Sequence, residues 1–401
     1  MLKLNIRKVT YELCMAMPAI FTVLYCIRDN VANKAAIVLM LFAYILLNSY
    51  YMRNGKKIRF FIFNFLTIIY IGYIGVKCGV SEIISSYFYG YLLTFIMMLI
   101  CTEDDLREEF IQYFMTHKKR FAAYVTVFFM TVVFSIIFIN GLKVGYGSKI
   151  PVLYGPFNIA HKLAYLLMVV YCGVSLFDLE NKKKTVIAIK LVCVICIVCT
   201  AVRSAVLATA VLIICDFLSI RKISKKAIIL GVGFIVLIFL ATNTDILTKN
   251  PLIEKTLYAT EVGGSITNGR EWYRRIALSY YATKTTLFEK IFGVGISGVV
   301  AHNHYAPEFL RVKIQAHNDY VNLLVGYGIV GLLLFMICQL GLSKTCKSKM
   351  NIILLQLFIF ILAYYNGFAL YIMLTASLPI VVAFFELKQV GGYNTVEENE
   401  L

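Results

Sequence analysis

Tyr320–Leu340 reads YVNLLVGYGIVGLLLFMICQL, a run without a single charged side chain. As a helix rising 1.5 Å per residue it is long enough to cross the roughly 30 Å hydrocarbon core of a bilayer. Similar runs recur along the chain, and twelve spans are expected, at about 11–27, 35–52, 60–76, 84–101, 121–140, 160–177, 185–200, 204–220, 227–241, 320–340, 351–366 and 368–386. Hydrophobic residues make up 60% of the chain and charged ones 15%, with a mean hydropathy of +0.78, which excludes an ordinary soluble domain. Unsatisfied backbone groups are costly in lipid, so the expected fold class is all-α: a polytopic membrane protein in the cytoplasmic (inner) membrane. The alternation of a β-barrel is absent from these runs.

The Lys/Arg bias of the short loops sets the orientation. With the N-terminus inside, Arg7 and Lys8, Lys56 to Arg59, Lys118 to Arg120, Lys182 to Lys184, Arg221 to Lys226, Lys344 to Lys349 and Lys388 fall on one side. The opposite short loops hold only Arg28, Lys34, Lys77, Lys143, Lys149 and Arg203. Both termini are therefore expected in the cytoplasm. The expected organisation is spans one to nine over 1–241, one large extracytoplasmic loop over 242–319, spans ten to twelve over 320–388 and a cytoplasmic tail over 389–401. The net charge of +17 is mostly this topological signal, scattered over short turns, and does not point to nucleic acid. The first span lacks a small-residue cleavage site and reads as an anchor. No cysteine falls in the large loop, which excludes a disulfide-stapled ectodomain.

Several motifs are weighed against plainer readings. Cys193, Cys196 and Cys199 lie on a membrane helix without companion ligands, and His302, His304 and Glu308 form an unspecific set, so no metal is expected. Gly293–Gly298 matches G-x-G-x-x-G outside any βαβ unit, and reads as a turn permitting close backbone approach. Glu12 is expected to pair with Arg7 or Lys8, and 102–120 to form a solvated surface helix, acidic first and basic last.

Other residues resist the plain reading. Arg203 sits on a turn of almost no length between two spans, flanked by small residues. A guanidinium there either snorkels or binds an anion, phosphate above all. Asn268 caps a helix opening at Arg270, on which Trp272, Ile276 and Tyr280 share an apolar side. Glu271 is placed to pair with Arg275. Arg270 opposes the helix dipole in the first turn, and a bound anion would remove that conflict, making Arg270 the first anion-binding candidate and Arg274 the second. His161 and Lys162 enter span six, facing a polar cavity or anchoring at the interface. His317, followed by Asn318 and Tyr320, stands where the apolar run begins, and a neutral imidazole there can accept a proton from a hydroxyl.

Arg203, Arg270 and His317 in that order, with "FGVGISG" (292–298), "HNDYVNLLVGYGIVG" (317–331) and, less specifically, "GPFNIAHK" (155–162), resemble the O-antigen polymerase and O-antigen ligase superfamily of bacterial membrane glycosyltransferases. The resemblance covers about Val186 to Leu340, and Gly326 departs from the family's acidic residue. It implies a metal-independent, cofactor-free, inverting transfer of glycan from undecaprenyl pyrophosphate. Arg203 and Arg270 would then hold the leaving group and His317 the acceptor hydroxyl, with Arg274, Asn318, Tyr320 and His161 binding substrate. The first expectation is a Wzy-type polymerase of capsular or O-antigen repeat units, with a chain-length regulator and a flippase as possible partners. The alternatives are an O-antigen ligase, a protein-directed oligosaccharyltransferase, or a lipid-glycan flippase or transporter. The last fits poorly, because charges midway along spans reduce to Lys190 and Asp216 and no repeated halves are seen.

Overall fold

The computed structural model describes residues 5–83, 85–144, 151–179, 184–219, 270–295, 316–365, 367–369 and 372–388. The predicted ninth span, Asn268 and the His302–Glu308 group lie outside them. The described chain is helical almost throughout. In order come α1 (Ile6–Ile27), α2 (Asp29–Arg53), α3 (Lys57–Cys78), the single turn α4 (Val80–Ile83), α5 (Ser86–Thr102), α6 (Asp104–Thr116) and α7 (Lys118–Phe138). A two-stranded hairpin follows, β1 (Leu142–Val144) antiparallel to β2 (Pro151–Leu153), with Lys143 opposite Val152. Then come α8 (Ala160–Ser175), α9 (Lys184–Cys199), α10 (Arg203–Leu218), α11 (Arg270–Lys284), α12 (Leu287–Phe292), α13 (Asp319–Gly341), α14 (Lys349–Tyr365), the short α15 (Ile372–Thr375) and α16 (Leu378–Leu387).

Among the described residues, five segments are long and apolar enough to cross a membrane by length and composition: Ile6–Ile27, Val31–Arg53, Lys57–Cys78, Lys118–Phe138 and Asp319–Thr345. Exposed Phe61, Phe65 and Ile68 on α3, and Met130 and Phe138 on α7, are apolar surface suited to lipid rather than water. Buried along almost its whole length, α8 occupies the centre of the bundle. The expected last span, 368–386, is broken: α15 and α16 are separate pieces, and the Ser377 hydroxyl between them donates to Cys14 O at 2.7 Å.

The expected tenth span is also not one straight helix. Gly328 has φ 71° and ψ −172°, outside any helical region. Tyr320 and Gln339 are 19 residues apart, yet the Tyr320 hydroxyl donates to Gln339 Oε1 at 3.0 Å. In a continuous helix they would stand about 28 Å apart. The Tyr320 ring lies 5.8 Å from that of Phe335, and a Cβ on Gly331 would lie 3.8 Å from Leu323 O. The chain therefore doubles back at Gly328 into a helical hairpin with a short first arm and a longer second arm. The reason is local: Gly328 lies against Ile291 and Phe292, and Gly293 against Gly326 and Tyr327, so closely that a Cβ on either glycine would fall 2.2 Å from a backbone oxygen. Val294 N–H completes the crossing with a 3.0 Å bond to Val325 O. Close backbone approach, expected of the glycine motif, is what Gly293 provides.

One end of the bundle is stapled by ion pairs. Glu12 is reached by Tyr113 at 2.5 Å, by Tyr124 and by Arg120 at 3.3 Å, not by Arg7 or Lys8 as expected; Arg7 instead pairs with Glu109 at 2.5 Å. The register of α6 explains this exchange. Leu106, Phe110 and Phe114 are buried, so that helix packs on α1 as well as facing solvent and brings its own acids within reach. Lys56 and Arg59 clasp the buried Glu103, and Arg107 joins Glu386 at 2.9 Å. Lys190 on α9 and Lys388 meet at the Asp216 carboxylate, at 2.7 and 3.0 Å, with Tyr171 and Ser175 donating to it. Lys190 and Asp216, the two charges that interrupt the apolar runs, thus pair with each other, and Lys388 shares the same carboxylate. Cys193, Cys196 and Cys199 run along α9, and among the described residues no group of three metal-ligating side chains forms.

Candidate functional site

The opposite end of the bundle gathers the arginines and the histidine around residues 364–369. Arg270 and Arg274 stand one turn apart on α11. Arg270 Nη1 donates to Tyr365 O at 2.7 Å, and Arg274 Nη2 to Tyr364 O at 2.8 Å, its guanidinium centred 4.4 Å over the Tyr364 ring. A carbonyl carries no formal charge, so these bonds aim the guanidinium groups without neutralising them. Arg274 is only 7% exposed, and its Nε has no partner among the described atoms. Of the two cations, Arg274 is the more enclosed.

The buried face of α11 is Arg274 and Ala277, packed through Ala277, Tyr280 and Tyr281 against Val294, Ala316 and Val325. Of the apolar side expected from sequence, Tyr280 joins this packing and Ile276 is half-buried, whereas Trp272 stays 38% exposed. Glu271 and Arg275 are both exposed, and among the described residues they form no ion pair. An exposed pair at that spacing is worth only tenths of a kcal/mol, about 0.2–0.5, too little to hold either side chain.

His317 stands at the foot of the hairpin with φ 48°, a left-handed conformation uncommon for a residue other than glycine. Its Nδ1 is buried and without a partner among the described atoms. Burial first, then the positive charges of Arg270 and Arg274, push the imidazole down to about 4. The three side chains therefore share one electrostatic environment, and His317 is neutral at physiological pH.

Next to it, Asn318 caps α13, its side chain accepting Val321 N–H at 3.1 Å. Asp319 is fully buried, and the sequence reading passed over it. Its carboxylate accepts the Phe368 and Ala369 N–H groups, the latter at 2.7 Å, and the Tyr91 hydroxyl at 2.9 Å. The backbone that orients both arginines is thus tied to the residue two places after His317. A carboxylate at the first position of an apolar run is the signal that could have found it. Tyr320 points along the hairpin, its hydroxyl committed to Gln339.

Arg203 opens α10 directly after the three-residue turn Thr200–Val202, in which Ala201 takes φ 51°. Cys215 on α10 and Asn351 on α14 both bond Lys388 O at the Lys-rich end, so the two helices run antiparallel. Arg203 is accordingly at the same end as Tyr365. His161 is the second residue of α8, one turn before Tyr165, whose hydroxyl donates to Gly367 O at 3.3 Å. Lys162 is an anchor, bonded to Tyr25 and to Asn158 at 2.8 Å each.

Residues 188–336 match the family model described as O-antigen ligase. The match supports the O-antigen polymerase and ligase superfamily for this region. It begins within α9, takes in Arg203, Arg270, Arg274 and His317, and ends in the second arm of the hairpin. No curated protein matches the chain.

Proposed function

We propose that the protein polymerises lipid-linked oligosaccharide repeat units, joining them at the extracytoplasmic face of the membrane with undecaprenyl pyrophosphate as the leaving group. The observation that carries this reading is the convergence of Arg270, Arg274 and His317, two cations and a neutral base, beside a backbone segment that aims the cations. The Lys-rich end is then cytoplasmic, the boundaries near 241 and 319 frame the outer loop, and a flippase and a chain-length regulator act alongside.

The chemistry follows from the charges. The acceptor hydroxyl oxygen attacks the anomeric carbon from the side opposite the pyrophosphate, the carbon–oxygen bond to the leaving group breaks, and its electron pair departs on the phosphate. The arginines, with Arg203 joining them, stabilise charge that grows during this step, where fixed cations act most strongly. His317 takes the hydroxyl proton. A diphosphate beside Arg270 and Arg274 offsets their effect on the imidazole, so His317 becomes a better base once the donor is bound. Asp319 is a positioning residue, and Asn318, Tyr320 and His161 line the approach.

The test is the surface-glycan ladder of a deletion strain complemented with Arg274→Ala, Arg270→Ala or His317→Ala. Single repeats left on the usual acceptor are expected; unchanged long chains in all three would sink the proposal. Long chains accumulating on the carrier lipid would identify the ligase activity named by the matching family, and loss of export would favour a flippase.

A further inference from the structure

A cleft of about 420 Å³ runs between α3 and the second arm of α13, floored by α5. Its walls are apolar, among them Phe63, Leu66, Phe95, Leu99, Leu334 and Ile337. Ile62 and Ile337 line it and are also 54% and 65% exposed, so the cleft opens sideways to the surroundings of the bundle. Its two ends differ. Toward the catalytic end it is roofed, because the Tyr70 hydroxyl bonds Tyr327 O at 2.9 Å and ties α3 to the hairpin. At the Lys-rich end it is lined by Arg59, Glu103 and Lys344, with Lys56 also on Glu103. The charged residues that line this mouth, Arg59 and Lys344 against Glu103, leave a net charge of +1.

We propose that this cleft holds one acyl chain of an anionic phospholipid from the cytoplasmic leaflet, with the phosphodiester on Lys344 and Arg59. From Tyr91 to Glu103 the floor helix runs about 18 Å, close to the depth of one leaflet of a roughly 30 Å core. Basic pockets between helices on the cytoplasmic side suit anionic headgroups, through charge that a zwitterionic lipid does not offer. The occupant would brace α3 against the hairpin from below, while Tyr91 at the top of the cleft holds Asp319.

The full chain, purified in detergent and given equal phosphatidylglycerol and phosphatidylcholine, is read by native mass spectrometry. Wild type is expected to retain phosphatidylglycerol preferentially, with retention falling about fivefold for each cation removed in Lys344→Gln and Arg59→Gln/Lys344→Gln. Leu334→Trp, which fills the cleft, should abolish retention. Lys349→Gln removes an equal charge outside the lining and should change little. If Leu334→Trp does not purify as a monodisperse species, the largely exposed Ile337→Trp replaces it. Equal retention across these variants, an equal loss in Lys349→Gln, or no preference over phosphatidylcholine would each overturn the assignment. So would displacement of phosphatidylglycerol by a polyprenyl phosphate that Leu334→Trp excludes, which would give the cleft to the glycan carrier.

Discussion

Replacing Gly328 with alanine probes the hairpin directly. Its φ of 71° and ψ of −172° belong to a region open essentially to glycine alone, and holding another residue there costs about 1–3 kcal/mol. The added Cβ would also stand 2.2 Å from Ile291 O, 2.3 Å from Ile291 C and 2.6 Å from Phe292 N. These are backbone atoms that cannot swing aside, so α12 must shift as a unit, at about another 1–3 kcal/mol by analogy with overpacked cores. The sum is about 2–6 kcal/mol. Gly72 on α3 is the control, because nothing lies within 4 Å of its Cβ position and its φ is not positive, so alanine there should be neutral or stabilising by up to about 1 kcal/mol. Thermal unfolding of the purified full chain, followed by helical circular dichroism, compares Gly328→Ala, Gly72→Ala and wild type. Gly328→Ala should unfold well below the other two and lose glycan elongation. If it unfolds together with Gly72→Ala and still elongates glycan, the fold-back and its contact with α12 are not as described.

Acid should act on His317 in two separable ways. Its folded value of about 4 lies below the ordinary 6.5, so the unfolded chain takes up the proton first. Stability falls as pH drops from about 6.5 toward 4, by about 3 kcal/mol, then levels off; in His317→Gln that part of the acid sensitivity should vanish from a urea titration. In turnover, the acid limb of kcat/KM should lie near the free-enzyme value and that of kcat higher, because bound diphosphate offsets Arg270 and Arg274; coincident limbs would refute the coupling. Asp319→Asn weakens charge-assisted bonds from Phe368 and Ala369, each worth about 1.5–3 kcal/mol, and should lower kcat with little change in carrier affinity; a pure KM effect would contradict a positioning role. Asp216→Ala strands Lys190 and Lys388 beside each other and should destabilise by about 3–5 kcal/mol, whereas the apolar Lys190→Met/Asp216→Leu/Lys388→Met chain should recover much of that loss in the same melt.

The helices were legible because a bilayer imposes a length and a composition that show in every window of sequence. Arg203, Arg270 and His317 stood out in the sequence as misfits: Arg203 on a minimal turn between apolar runs, Arg270 against its helix dipole, His317 where an apolar run begins. The hairpin was not. Hydropathy sums over Tyr320–Leu340 and is blind to direction, and only the spacing of Gly326, Gly328 and Gly331 hinted that two backbones meet there. Part of the buried face of α11 escaped because it is decided by a partner 90 residues away: the Tyr364 ring and carbonyl draw Arg274 inward and leave Trp272 outside. Asp319 was hidden behind its neighbour, since the histidine explained the motif without it.

The carbonyls of Tyr364 and Tyr365 have a bearing on how such a site is inherited. A peptide oxygen is present whatever side chain stands at the position, so the bonds that aim Arg270 and Arg274 can persist while the letters at 364–369 drift. What descent must preserve there is a bend in the chain, together with the one carboxylate that fastens it. Two proteins of this kind could therefore aim the same pair of guanidinium groups and share almost no residues in the segment that directs them.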